Sequence, residues 1–330
     1  MVSAQYSVIS FPSLGISVNP PRSISLGPLN IYFYGIIIAC GLVLAVLYCM
    51  NRSKEFGIQE DDILDGVLWV TPFAICCARA YYCIFAWHEY AADPISVLYI
   101  WNGGLAIYGG VIGALIGVSA LCKLKKIKLP AMLDLVLLGF LIGQSIGRWG
   151  NFMNREAFGA ETTLPWRMRL TTVYGTYVEV HPTFLYESLW NLLGLCLVLF
   201  VISRARRFDG ENTGFYFLWY GMGRFWIEGL RTDSLYLFNW TFMGEPIRVS
   251  QALSLVMILV SAGVLFWKIS IRRASPEDLM VNRLAAEAAA GAPGGADAPA
   301  GEDAVSEEAR EASAAEAAPA EGRPAKTEEN

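Results

Sequence analysis

Histidine is scarce in this chain of 330 residues, which contains two, His88 and His181. Neither stands at metal-ligand spacing from any of the seven cysteines: Cys40, Cys49, Cys76, Cys77, Cys83, Cys122 and Cys196. Cys76 and Cys77 are adjacent rather than separated as in a C-x-x-C pair. All seven fall within or at the edge of apolar stretches, where a cysteine packs as a small hydrophobe. No metal site is expected from them. Charge is the second shortage: 17% of residues are charged and 55% hydrophobic, with mean hydropathy +0.41. That excludes an ordinary soluble domain. Residues 1–30 lack both a basic start and an apolar core, so no cleaved signal peptide is expected. Beyond Ala274 the aromatics vanish and Ala, Glu, Pro and Gly dominate, which reads as a disordered, acidic tail over 274–330.

Apolar runs of membrane-spanning length recur instead. We read seven transmembrane helices, at 31–50, 63–87, 96–122, 129–147, 183–203, 213–230 and 250–271. Lipid cannot satisfy open backbone polar groups, so the fold class is an all-α polytopic membrane protein. Its domains read as an N-terminal segment 1–30, a seven-helix body 31–273 and the tail. Basic residues follow alternate spans: Arg52 and Lys54, then Lys123, Lys125, Lys126 and Lys128, then Arg204, Arg206 and Arg207, then Lys268, Arg272 and Arg273. The connection 89–95 has neither Lys nor Arg. The positive-inside rule then puts the N-terminus outside and the C-terminus in the cytoplasm. Arg148, Arg155, Arg167, Arg169, Arg231 and Arg248 lie on the outer side against that pattern and ask for another explanation.

The densest group of polar residues is 147–159, reading Gly-Arg-Trp-Gly-Asn-Phe-Met-Asn-Arg-Glu-Ala-Phe-Gly. An Arg at the end of a membrane helix is either an interfacial anchor or an anion site, since a guanidinium offers a fork of donors matched to phosphate oxygens. It opens the longest connection, 148–182, read as a small extracytoplasmic head. Within it, 171–174 and 176–180 joined at Gly175 predict a β-hairpin. His181-Pro182 then starts a helix in which Tyr186, Glu187 and Asn191 lie one or two turns in. In the sixth span, Tyr220, Arg224 and Glu228 recur at i, i+4 and i+8, on one helix face. Ionisable groups there face a bundle interior or a water-filled cavity. Arg79 in the second span reads as structural, paired to a carbonyl or carboxylate. Gly109, Gly113 and Gly117, like Gly139, Gly143 and Gly147, read as close helix-packing ladders. Gly103-Gly104 precedes such a ladder and is expected to expose backbone N–H groups.

These blocks resemble the prolipoprotein diacylglyceryl transferase family. The likeness covers 147–159, Tyr34-Gly35, Ala78-Arg79 with Tyr81-Tyr82, Gly103-Gly104…Gly109-Gly110, His181-Pro182-Thr183…Tyr186-Glu187 and Gly223-Arg224-Phe225…Glu228…Arg231. The resemblance implies an enzyme of the bacterial plasma (inner) membrane. It would transfer the diacylglyceryl group of phosphatidylglycerol to the lipobox thiol of a preprolipoprotein signal peptide and release glycerol 1-phosphate. It implies no metal or organic cofactor, and no nucleic acid partner is expected. Arg148 and Arg224 would stabilise the phosphate leaving group, and Asn151 and Asn154 would hold glycerol or phosphate oxygens. Glu156 and Glu228 would orient the arginines, Tyr34 and Tyr220 would supply hydroxyl donors, Gly159 would allow close backbone approach, and Gly103 and Gly104 would line the lipid site. Where many members have His, this chain has Tyr108. A neutral tyrosine, with pKa about 10, is a poor base, so Tyr108 is expected to donate a hydrogen bond. A secondary transporter of an anionic metabolite is the alternative from another class, but no internal repeat supports it. A non-catalytic phospholipid-binding protein would explain the arginines but not so many unlike polar residues.

Overall fold

The computed structural model describes residues 6–27, 29–232, 236–242 and 245–291, omitting the side chains of Leu26, Leu29, Asn102, 236–242, 245–247 and Gly291. The chain runs β1 (Tyr6–Phe11), β2 (Ile16–Val18), β3 (Ser23–Leu26), β4 (Leu29–Tyr32), α1 (Phe33–Arg52), α2 (Glu60–Asp65), α3 (Thr71–Phe85), α4 (Trp87–Tyr90), α5 (Ile107–Lys125) and α6 (Leu129–Asn154). It continues through β5 (Met168–Thr172), β6 (Tyr177–Val180), α7 (Thr183–Leu197), α8 (Glu211–Leu230), β7 (Tyr236–Phe242), β8 (Glu245–Arg248), α9 (Val249–Phe266) and α10 (Met280–Gly291). Among the described residues, six helical stretches are long and apolar enough to cross a membrane: Phe33–Phe56, Glu60–Phe85, Ile107–Lys125, Leu129–Asn154, Thr183–Ala205 and Val249–Ile271. Their outward faces leave Leu68, Trp69, Ile84 and Phe85 exposed, as lipid contact requires. With the predominantly helical body, this makes the chain a multi-pass membrane protein. α8 spans 20 residues but carries Glu211, Arg224 and Glu228, and it falls outside those six.

α6 is the central element. Met132, Leu135, Leu138 and Leu141 recur three residues apart and are fully buried, and α6 packs against α1, α7 and α8. The two glycine ladders do not meet each other. Gly139 lies against Ala45 and Cys49 of α1, and Gly41 of α1 lies against Gly143. Gly109 and Gly113 instead lie on Cys77, Ala78 and Ala74 of α3. Small residues on both sides let these backbones approach, which is what drives association where no hydrophobic effect operates.

Asp134 is fully buried in α6. One carboxylate oxygen accepts from the Gly210 amide at 2.8 Å, the other from the Thr213 amide and hydroxyl, both at 2.8 Å. These are orphan donors of the first turn of α8, so Asp134 caps that helix from its neighbour. α7 and α8 are clasped by a reciprocal tryptophan pair. The Trp190 indole N–H donates to the Trp219 carbonyl at 3.0 Å and that of Trp219 to the Trp190 carbonyl at 2.8 Å, with rings stacked 4.3 Å apart. Each ring lies over a glycine of the other helix, Gly223 and Gly194, where a Cβ would collide with it. Gly194→Ala and Gly223→Ala are each expected to lower the apparent Tm. Overpacking costs about 1–3 kcal/mol and outweighs the ~1 kcal/mol of helix propensity that alanine supplies. A thermal unfolding scan in detergent checks this, and an unchanged or raised Tm would contradict it.

The structure corrects several boundaries. The helix predicted at 96–122 starts at Ile107, and 94–102 forms 3-10 turns. The helix predicted to end at 147 continues to Asn154, so the first seven residues of the predicted connection 148–182 are helical. The hairpin is found as β5 and β6, with Gly175 at φ +82° in the turn. It is joined by β1 and β2 from the segment read only as turn-rich, giving a four-stranded antiparallel sheet of order β2-β1-β5-β6. Ile9, Met168, Leu170 and Val180 of the sheet form one buried cluster with Phe184 of α7. The tail predicted to be disordered from 274 is helical up to Gly291, with Leu279 and Met280 buried. Residues 292–330 lie outside the described residues. The chain divides into two compact units, Met1–Ala285 and Ala286–Asn330; of the second, the described residues include the end of α10.

Candidate active site

Glu187, on the second turn of α7, is 7% exposed. One of its carboxylate oxygens pairs with the Arg148 guanidinium of α6. The other lies 3.6 Å from Arg224 of α8 and 3.6 Å from Arg231 just beyond it. Arg224 also pairs with Glu228 at 2.6 Å, one turn along the same helix. Arg248 donates to the Glu228 carbonyl and, at 3.2 Å, to that of Arg231, closing the end of α8. Arg148 and Arg224 thus meet at one buried carboxylate. Three arginines against Glu187 and Glu228 leave a net positive charge even before Arg248 is added.

The α6–α7 register at this point is pinned by hydrogen bonds. The Ser145 hydroxyl donates to the Ser188 carbonyl at 2.9 Å, and the Ser188 hydroxyl donates to the Ser145 carbonyl at 2.8 Å. The Trp149 indole N–H donates to the Ser188 hydroxyl at 3.2 Å. These groups flank Arg148 and Glu187 in sequence, so they hold both side chains to one geometry. A small cavity lined by Glu187, Asn191, Tyr220 and Arg224 opens beside them. Tyr220 stacks on Tyr216, ring centroids 5.9 Å apart, whose hydroxyl accepts from Gln144 at 3.1 Å.

Asn151 and Asn154 stand on the last turn of α6, and both side-chain amides donate to one Glu156 oxygen at 3.1 Å. Glu156 therefore engages the asparagines and not the arginines as expected; Arg155 takes φ +57° as the helix C-cap and turns the chain back so that Glu156 can reach them. Gly159 lies where three segments cross: its N–H donates to the His181 carbonyl, and a Cβ there would meet His181, the Leu230 carbonyl and Thr183. Tyr34 of α1 packs its ring on Gly150 and is 37% exposed. Tyr108 begins α5, 46% exposed, and makes no hydrogen bond among the described residues. Gly103 and Gly104 take positive φ, and their carbonyls accept from Arg79 at 2.6 and 3.0 Å; the Gly103 N–H, expected to be exposed, donates to the Ile100 carbonyl at 3.3 Å. Arg79 also donates to the Val97 and Ser96 carbonyls and so staples the loop before α5.

Three other arginines that were expected on the outer side are accounted for as well. Arg167 and Arg169 clasp Glu179 across the hairpin, both at 2.6 Å, and hold its carboxyl below the usual range, Arg169 contributing most. Buried Arg155 donates to the Ser7 and Pro20 carbonyls and to Asn19, tying the N-terminal segment to the end of α6. His181 contacts the Tyr186 hydroxyl at 3.2 Å, and burial lowers its pKa from the ordinary histidine value. Glu187, Arg231 and Arg248 were absent from the residues assigned from sequence; a carboxylate inside an apolar span was the signal for Glu187.

The family model described as prolipoprotein diacylglyceryl transferase matches residues 21–267. The chain belongs to the prolipoprotein diacylglyceryl transferase family. It is similar to a phosphatidylglycerol--prolipoprotein diacylglyceryl transferase of Lactiplantibacillus plantarum, 43% identical over 75% of this chain and 89% of that one. Similar relatives of the same name come from Finegoldia magna, 44% identical over 73% and 92%, and Listeria monocytogenes, 40% identical over 77% and 92%. The transferase family displaces the transporter reading.

Proposed function

We propose that the chain catalyses the first step of bacterial lipoprotein lipidation. It moves the diacylglyceryl group of phosphatidylglycerol to the thiol of the lipobox cysteine of a preprolipoprotein. The observation that carries this reading is the meeting of Arg148, Arg224 and Arg231 at Glu187 beside a cavity. The thiol gives its proton to water, and the thiolate sulfur attacks the carbon of the diacylglycerol moiety that bears the phosphate. The C–S bond forms, the C–O bond breaks, and glycerol 1-phosphate departs with the negative charge. Cations fixed where that charge develops are the main catalytic lever. Arg148 and Arg224 neutralise the leaving phosphate, with Glu187 and Glu228 holding them in place. Asn151 and Asn154, aligned by Glu156, bind glycerol or phosphate oxygens; Tyr34 and Tyr220 supply hydroxyl donors, and Gly159 lets the strand pass close. The net positive potential also lowers the thiol pKa from its ordinary value of about 8.5. Tyr108, whose hydroxyl makes no hydrogen bond among the described residues, donates one to the bound substrate, and Gly103 and Gly104 shape the rim of the site.

In this reading α8 also crosses the membrane, as the sixth of seven spans in chain order, the four-stranded sheet is an extracytoplasmic head, and the protein sits in the bacterial plasma membrane with its N-terminus outside and C-terminus in the cytoplasm. Residues 31–273 form the catalytic body. The test supplies purified protein with phosphatidylglycerol and a lipobox peptide and follows the peptide by mass. A diacylglyceryl thioether and released glycerol phosphate are expected; an unmodified peptide would overturn the proposal. Tyr108→Phe is expected to slow transfer and Tyr108→His to be tolerated, measured in the same assay. Wild-type turnover in the Phe variant would remove the hydroxyl from the site.

A further inference from the structure

At the other end of α6 from Arg148 lies a second cleft, of about 210 Å³. It is lined by Lys128, Lys268, Arg272 and Arg283, with Asp209 and Asp278. Of the acids, Asp209 is engaged through one carboxylate oxygen, and Asp278 through its backbone carbonyl. Asp209 is buried and its Oδ2 lies 3.3 Å from the Lys128 ammonium and accepts from the Met280 amide at 2.9 Å. The Asp278 carbonyl accepts from Lys128 at 3.1 Å, so Lys128 is held on both sides. Among the described residues, none of Lys268, Arg272 and Arg283 has a carboxylate within 4.0 Å. Lys268 instead lies over the Phe208 ring at 5.3 Å, and Arg272 over Trp267 at 5.9 Å. The second Asp209 oxygen, Oδ1, is buried with no hydrogen-bond partner among the described residues. The cleft therefore offers three cations in want of an anion beside one acceptor in want of a donor.

Its position narrows what could fill it. Twenty residues of α6 separate Lys128 from Arg148, about 30 Å at 1.5 Å per residue. That matches the roughly 30 Å of a bilayer's hydrocarbon core, so the cleft sits at headgroup level of the opposite leaflet. Trp267 and Ile271 beside it are exposed and apolar, which suits acyl chains. A space of this size holds a phosphate with attendant waters. Arginine forks match phosphate oxygens, and Asp209 suits a hydroxyl.

We propose that this cleft binds the headgroup of an anionic glycerophospholipid, its phosphate held by Lys268, Arg272 and Arg283 and a headgroup hydroxyl by Asp209. It is separate from the transfer site and is occupied from the other leaflet. The test uses the full chain in detergent and counts retained lipid by native mass spectrometry. Phosphatidylinositol, phosphatidylcholine and soluble glycerol 3-phosphate are titrated in parallel. The wild-type chain should retain one phosphatidylinositol at least tenfold more tightly than phosphatidylcholine. The K268Q/R272Q/R283Q variant should lose that tenfold while keeping its Tm and transfer activity, and Arg148→Ala should retain it. Equal retention of phosphatidylcholine, or wild-type retention by the triple variant, overturns the proposal. Glycerol 3-phosphate binding as tightly as the lipid would overturn the lipid as the source and leave a soluble phosphate ester.

Discussion

Arg148→Ala is expected to abolish diacylglyceryl transfer while the helical fold survives. Arg148 pairs with Glu187, and its side chain is 23% exposed, so it remains open to a ligand on one side. Its packing load falls on its neighbours: Ser145, Trp149 and Ser188 lock α6 to α7 without it. Removing one preorganised donor from a developing oxyanion costs about 10²–10³ in rate. A full charge on a phosphate leaving group should reach at least the upper end. Arg224→Ala should behave alike, and Arg148→Lys should recover only part, because an ammonium keeps the charge but loses the bidentate fork. The measurements are peptide mass against time and a thermal unfolding scan. Wild-type rates in either alanine variant would remove both residues from the site.

Glu187→Leu should be more damaging still, in a different way. The carboxylate separates three guanidinium groups drawn from two helices and the segment after α8. Without it those cations face one another in a buried setting. Breaking a buried pair by removing one partner costs about 3–5 kcal/mol, because the remaining charge has no compensation. The variant should therefore lose both stability and activity. Glu187→Gln keeps the shape but not the charge and should lower the Tm by less while still slowing transfer. Glu187→Asp should restore the Tm before it restores the rate, since charge returns but reach does not. Tm and transfer rate equal to wild type in the Gln variant would show that the carboxylate is not what organises the arginines.

Much of the body was legible along the chain because lipid imposes a one-dimensional rule. An apolar run that satisfies its own backbone is a helix, so most of the apolar spans were read close to where they lie, the start of α5 and the end of α6 excepted. The turn at Gly175 was legible for a similar local reason, since a positive φ between two β-rich runs specifies a hairpin. Polarity misled at the end of α6. Arg148, Asn151 and Asn154 look like a departure from the membrane, yet the helix carries them to Asn154 and so places them on adjoining turns. The N-terminal strands were missed because β1 draws its partner from β5, far along the chain, and nothing local announces that pairing.

Composition, hydropathy and motif order alone were enough for the class of the protein and for most of its apolar helices, because those depend on each segment's own free energy in lipid or water. Which cation meets which carboxylate was not of that kind. Glu187 became the hub, Glu156 turned to the asparagines, Asp134 capped a neighbouring helix and Arg79 gathered a loop only once the helices were packed. The physical reason is that an ion pair or cap is a relation between two segments, decided by helix register and crossing distance, and neither is written in either segment separately.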